Sequence, residues 1–181
     1  MYRAGELYSN TGAQISLKYF VKVIMDQTTI RKATNNDLEK LYQFEQGVIE
    51  AERKFDPTLK IEKVHYYNLK EMIDSAHIEL LVAEFEGSII GSGYARLENA
   101  KPYLQHDVHA YLGFMYVHPE QRGKGINQKI IEALKNWALS KQVSELRLDV
   151  YFDNMSAIKA YEKIGFSKHM IEMRLHLGNS L

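Results

Sequence analysis

Apolar and polar positions change period several times along the chain, and each change marks an element. Ile15-Ser-Leu-Lys-Tyr-Phe-Val-Lys-Val-Ile24 alternates like a strand, and a second short strand spans Thr29 to Lys32. Thr34-Asn35-Asn36-Asp37 then offers helix N-cap residues, and Leu38, Leu41, Tyr42 and Phe44 supply the apolar side of a helix. Phe55-Asp56-Pro57-Thr58 reads as a turn, because Pro57 pushes Asp56 out of helical geometry. A second helix is predicted over 63–74. Strands at Ile78 to Ala83 and Ser88 to Ala95 meet across Glu86-Gly87 as a hairpin, and a long strand runs from His109 to Val117.

After Pro119 a glycine-bearing turn opens a helix with Ile126, Ile130, Leu134 and Trp137 on one face, at steps of four and three. A strand over 145–150, a helix from Met155 to Lys163 closed by Gly165, and a final strand over 166–177 complete the order. Strands and helices in this order predict a mixed α/β sheet with helices on its faces. The globular pattern begins near Thr28, so residues 1–27 read as an extension outside one domain at 28–181.

Composition narrows the function classes. The chain has 181 residues, enough for one domain with a sizeable core. Its 23 basic and 23 acidic residues cancel, which argues against a general nucleic-acid binder, since such a protein needs a basic face. No apolar run approaches the roughly 20 residues that span a bilayer, so no membrane partner is expected. Without a signal peptide the expected location is the cytoplasm. Cysteine is absent, which removes thiol nucleophiles and cysteine-ligated metals, and the seven histidines show no metal-ligand spacing.

The segment Gln121-Arg122-Gly123-Lys124-Gly125-Ile126-Asn127 carries the clearest chemistry. Gly123 and Gly125 let backbone approach a ligand, and the helix start adds unpaired N–H groups and a positive dipole end. Arg122 and Lys124 add charge, so a pyrophosphate is the natural guest; a plain tight turn is the structural alternative. The segment is not a P-loop, because Gly125 is followed by Ile126-Asn127 instead of Lys and Ser or Thr. It supplies only two of the three glycines of a dinucleotide fingerprint, and it follows a hairpin and a third strand instead of opening the sheet.

Tyr116-Val-His-Pro-Glu-Gln-Arg-Gly-Lys-Gly-Ile-Asn127, followed by an amphipathic helix, resembles the acyl-CoA signature of the GNAT acetyltransferase superfamily, [QR]-x-x-G-x-[GA]. Asn127 departs from it, standing where Gly or Ala is usual. A second block, Asn154-Met-Ser-Ala-Ile-Lys-Ala-Tyr-Glu-Lys-Ile-Gly-Phe166, is similar to the family's N-x-x-A-x-x-x-Y-x-x-x-G-F.

The resemblance implies a mostly antiparallel mixed sheet of six to seven strands with about four helices, and acetyl-CoA as the acyl donor. It implies that Met115, Tyr116 and Val117 pair with the pantetheine arm, with an N–H polarising the thioester carbonyl. It further implies that Arg122, Gly123, Lys124, Gly125, Ile126 and Asn127 hold the pyrophosphate. Asn154 would contact the cofactor arm, or cap its helix, or both. Tyr161 would protonate the leaving thiolate, a phenol near pKa 10 facing a thiol near 8.5.

The acceptor is implied to be a primary amine of a small molecule or peptide, attacking directly; an acyl-CoA-binding sensor without turnover is the alternative, and a homodimer is compatible with the family. The attacking amine must lose a proton. At the position where some family members carry a glutamate this chain has Tyr111, and strand parity puts His109, Tyr111, Gly113 and Met115 on one face, leaving His109 as the candidate base there. Glu45, Glu50, Glu52 and Asp56 are carboxylates of the implied acceptor region that could attract a cationic amine, although exposed helical acids usually do nothing specific; Phe44, Phe55, Tyr66, Tyr67 and Tyr103 could wall the pocket, with core packing the alternative for most.

Overall fold

The computed structural model describes residues 19–178, which divide after Asp149 into two compact units. In the first, β1 (Thr29–Lys32), β2 (Ile78–Phe85), β3 (Ser88–Asn99), β4 (Val108–Val117) and β5 (Leu146–Arg147) form one sheet in that order. Neighbours from β1 to β4 pair antiparallel, and β5 joins β4 parallel. The mixed, mostly antiparallel sheet is thus present, with five strands among the described residues instead of six or seven. The first unit's helices are α1 (19–27), α2 (Leu38–Glu52), α3 (Leu69–Asp74) and α4 (Ile126–Ser140); α5 (Met155–Ile164) lies in the second.

Local chemistry explains the frame. Asp37 accepts from the Thr34 amide at 2.7 Å and the Thr34 hydroxyl at 3.1 Å, a capping box that starts the turn leading into α2. The Arg31 guanidinium grips the same carboxylate at 2.8 and 2.9 Å and reaches Glu84 on β2 at 2.8 Å, tying the helix start to the sheet. That pairing holds the Asp37 carboxyl below the usual range. Glu86 and Gly87 both have positive φ, 49° and 73°, as a two-residue hairpin turn between β2 and β3 requires.

Both faces of the sheet are covered. Leu41 and Phe44 of α2 and Leu69, Met72 and Ile73 of α3 pack with Leu80, Val82, Tyr94 and Phe114 on one side. Ile126, Ile130, Ile131 and Leu134 of α4 are buried, and α4 packs on β2, β3 and β4. At Gly93 a Cβ would stand 2.8 Å from Ile130, so glycine is what lets α4 lie this close to β3.

Four expectations change. The helix over 63–74 shrinks to Leu69–Asp74, because Glu45 binds the Tyr66 and Tyr67 amides outside any helical ladder and Asn68 caps the Glu71 amide. The strand over 145–150 is reduced to Leu146–Arg147. The final strand does not form: 166–177 makes no ladder, and Ile171, Met173, Leu175 and Leu177 are exposed. Alternation selects a face only when a neighbouring strand supplies backbone partners. Residues 19–24 are helical instead of extended, since Phe20 and Ile24 are also spaced for one helix face; 15–18 lie outside the described residues.

In the second unit, Asn154 caps α5 by accepting from the Ala157 amide at 3.3 Å, and Gly165 closes it at φ 110°.

Candidate functional site

The glycine segment is shaped as an open helix start. A 3₁₀ turn over Pro119–Gln121 leads to Arg122, and Gly123 and Gly125 follow at φ 74° and 80°. Left-handed residues of this kind turn backbone N–H groups toward a common concavity. Gly125 is the N-cap of α4, no side chain caps it, and the first turn holds no acidic residue. The helix therefore presents its N–H groups and dipole without an internal anion to neutralise them. Arg122 and Gly123 are exposed, and Ile126 is buried below. Lys124 Nζ is held by Glu120 O at 2.7 Å and Gln121 Oε1 at 2.9 Å, which brings its charge back to the loop. This arrangement can hold a phosphate or pyrophosphate.

The strand feeding the loop is interrupted. The β3–β4 register shifts between Ser92 and Tyr94, and Phe114 takes φ 54°, a bulge that puts an extra residue on β4. The fully buried Ser92 hydroxyl donates to Phe114 O at 3.2 Å, satisfying the bulge carbonyl. The bulge also reverses side-chain parity. A Cβ on Gly113 would meet Tyr94, and Tyr111 packs against the α2–α3 core, whereas Met115 lies beside Gly93, with Ile130. Met115 and Tyr111 therefore do not share a face, as unbroken alternation had required. Beyond the pairs Ala110–Leu146 and Tyr111–Arg147, β4 has no ladder with β5, which leaves its C-terminal half open on that edge. Val117 O accepts from Arg122 Nε at 3.1 Å, so strand end and loop are joined directly.

Side chains build the neighbouring region. Glu45 of α2 has no exposed surface and accepts from the Tyr66 amide at 2.7 Å and the Tyr67 amide at 2.9 Å, while its other oxygen lies 2.6 Å from His65 Nδ1. A buried carboxylate needs such company, because an unpaired charge there is costly. With the Nδ1 proton directed at Glu45, His65 keeps an Nε2 lone pair. His65 lines a cleft of about 530 Å³ with Tyr42, Lys63, Tyr67 and Asn68. Tyr67 connects that cleft to the strand, its ring lying 5.0 Å from that of Phe114. Phe44 stacks on Tyr116 at 4.5 Å from the same helix. Burial raises both the Tyr67 phenol and the Glu52 carboxyl above their ordinary ranges.

The sequence candidates are thus distributed. Met115, Tyr116, Val117 and Arg122 to Asn127 are contiguous at the open end of β4 and the start of α4. Tyr111 is half-buried, donates to Asp149 at 3.1 Å, and is raised by burial and by that carboxylate. His109 is buried at the far end of β4, six residues before Met115 or roughly 20 Å along the strand. Its Nε2 faces Glu98 at 3.6 Å and its Nδ1 has no hydrogen-bond partner. Asn154 and Tyr161 belong to α5, where Tyr161 packs edge-on to Phe166 at 5.9 Å. Sequence reasoning passed over Ser92 and His65, reached Tyr67 only as one of several aromatics near the pocket, and read Glu45 as one exposed acid among four. Its neighbours at i+3 and i−4, Val48 and Leu41, both pack in the core, which was the available signal. Among the described residues no group of three His, Cys, Asp or Glu is placed to hold a metal, and no helix is long and apolar enough to cross a membrane.

An open strand end running into an uncapped, acid-free helix start defines an α/β protein whose loop after β4 can accept an anion. The chain belongs to the Acetyltransferase (GNAT) family, whose model matches residues 36–166. Streptothricin acetyltransferase of Escherichia coli is 40% identical over 52 residues, covering 29% of this chain and 30% of that protein. Thialysine N-epsilon-acetyltransferase of Bos taurus is 46% identical over 55 residues, 30% of this chain and 32% of its own. The matches to these curated relatives thus span about a third of their lengths. A mutant of the BH1408 protein of Bacillus halodurans superposes with TM-score 0.76 at 26% identity, over 82% of this chain and 99% of that one.

Proposed function

We propose that this chain transfers the acetyl group of acetyl-CoA directly to a primary amine of a small molecule or peptide. The uncapped start of α4, with Gly123 and Gly125 at positive φ, carries the reading, because it is a backbone site for a diphosphate. Arg122 to Asn127 hold that diphosphate, and the open edge of β4 from Met115 to Val117 receives the pantetheine arm. A backbone N–H there polarises the thioester carbonyl as the amine nitrogen attacks it. The C–N bond forms, the C–S bond breaks, and Tyr161 gives its proton to the departing thiolate. Two relatives carry acceptors in their names, streptothricin and thialysine, and the latter's name specifies an ε-nitrogen; this supports an amine acceptor.

For the proton the amine must lose, His65 has a better setting than His109. Its Nδ1 is occupied by Glu45, its Nε2 is free to accept, and it lines a cleft, whereas His109 is buried far down β4. Thiol release from acetyl-CoA over a panel of amines and short peptides tests the function, with the acetylated product identified by mass spectrometry. At least one amine is expected to release thiol. Acetyl-CoA binding without release across the panel would leave a sensor, and a larger rise in melting temperature with NAD or ATP than with CoA would remove the donor assignment.

A further inference from the structure

The phosphate loop has a neighbour from outside the family-matched residues. Helix α1 ends against it: Met25 Sδ would stand 2.6 Å from a Cβ on Gly125, so its thioether rests directly on the glycine that caps α4. Lys129, in the first turns of α4, donates to Met25 O and, at 2.9 Å, to Thr28 O. An ammonium on the carbonyl end of α1 satisfies orphan acceptors and complements the helix dipole. Thr28 closes the same end, donating to Ile24 O from its amide at 2.9 Å and its hydroxyl at 2.6 Å, and Ile24 is buried. Four residues earlier, one turn along the same face, Lys124 Nζ lies 5.4 Å from the centre of the Phe20 ring. Phe20 is nevertheless 54% exposed and Tyr19 beside it 71% exposed.

Two large rings thus stand open to solvent on a helix fixed to the diphosphate cradle, and one of them already carries the loop's own lysine. We propose that α1 is the nucleotide-side wall of the donor site, with Phe20 and Tyr19 as the surface on which the adenine of the acyl-CoA stacks. Met25 and Lys129 are positioning residues, holding α1 at the loop. The adenosine is joined through its ribose to the diphosphate, so a guest seated on Gly123 to Asn127 has its base within side-chain distance of a helix touching Gly125. Aromatic rings stack on any base face without demanding a hydrogen-bond pattern. This assignment rests on the reading of the loop as the CoA diphosphate site.

The test titrates the full chain and its Phe20→Ala and Phe20→Trp variants with acetyl-CoA and with acetyl-pantetheine 4′-phosphate, which lacks the adenosine, its 3′-phosphate and one phosphate of the diphosphate. Phe20→Ala is expected to weaken acetyl-CoA by about 10-fold and to leave the truncated donor unchanged, while Phe20→Trp retains wild-type affinity for both. Lys129→Met, which frees α1, is expected to show the same donor-selective loss. An equal loss for both donors would make α1 a prop for the loop and nothing more, and no loss would remove the stacking role; either result overturns the proposal. Failure of the unaltered chain to bind acetyl-CoA at all would instead overturn the donor assignment on which it rests.

Discussion

Residues 118–127 and residues 42–68 lie at the same strand, and they are made of different material. The first region works through backbone: two positive-φ glycines, an uncapped helix start and a strand edge without a ladder partner. The second works through side chains brought from separate turns, with Glu45 holding His65, Tyr66 and Tyr67 and Tyr67 reaching the Phe114 ring. On the proposed function, backbone recognises what every donor molecule shares, a diphosphate and an amide-bearing arm. Side chains can change without disturbing the sheet, which is how one fold keeps its donor and varies its acceptor.

The largest expected effect asks whether the donor-side motif carries chemistry as well as binding. Tyr161→Phe is expected to lower kcat by about 100-fold or more while leaving the acetyl-CoA dissociation constant within a factor of about two. Steady-state kinetics with a parallel titration separates these quantities. Unchanged turnover would reduce the α5 block to helix packing, with Tyr161 retained for its contact with Phe166.

Next comes the loop. Gly125→Val forces a β-branched residue to φ 80° and drives its Cβ into Met25. Left-handed geometry alone costs about 1–2 kcal/mol, and the displaced loop adds lost N–H contacts, so acetyl-CoA should bind roughly 100-fold more weakly. Calorimetric titration measures it. A variant that binds normally would mean the guest is not held by this turn.

The acceptor side responds differently. Glu45→Gln keeps one acceptor oxygen for the two amides but loses the charge opposite His65, at a cost of about 2 kcal/mol in urea unfolding. His65→Gln leaves the fold in place, removes the Nε2 base, and is expected to lower kcat/KM by about 100-fold while acetyl-CoA affinity stays constant. An unchanged kcat/KM would return the base to another group and would erase the contrast between the two regions.

The same contrast explains what the sequence made readable. The 126–140 helix, its glycine start and the Asn154 cap follow from local rules, since φ, capping and a 3.6-residue period are written in consecutive residues. Glu45 did not, because its partners sit 20 to 22 residues away in irregular chain, where no period exists. The Phe114 bulge is a tertiary choice, stabilised by Ser92 from the adjacent strand, and it made parity fail at Met115. The alternation over 166–177 is imperfect, and a ladder also needs a second strand that no single segment can promise. At 19–24 two periods were both satisfied, and packing of Ile24 and Met25 decided for the helix.

The smallest effect concerns the end of β4 away from the loop. Burial, and then the Arg147 guanidinium, lower the His109 imidazole from its ordinary 6.5, against the pull of Glu98 and Glu145 and with a small push from His106. The folded state therefore binds fewer protons at this site than the unfolded chain does. Stability from keeping His109 neutral is complete above the unfolded value and drains away as pH falls below about 6.5. Between pH 7.5 and 5.5 the melting temperature of the unaltered chain should fall more steeply than that of His109→Gln, which has no proton to take up. Acetyl-CoA affinity should not distinguish the two proteins at either pH, because the imidazole is remote from the loop. Parallel slopes would show that His109 keeps its proton balance on folding. A pH-dependent difference in turnover between the two would place His109 in the chemistry after all, and would extend the functional region along the whole of β4.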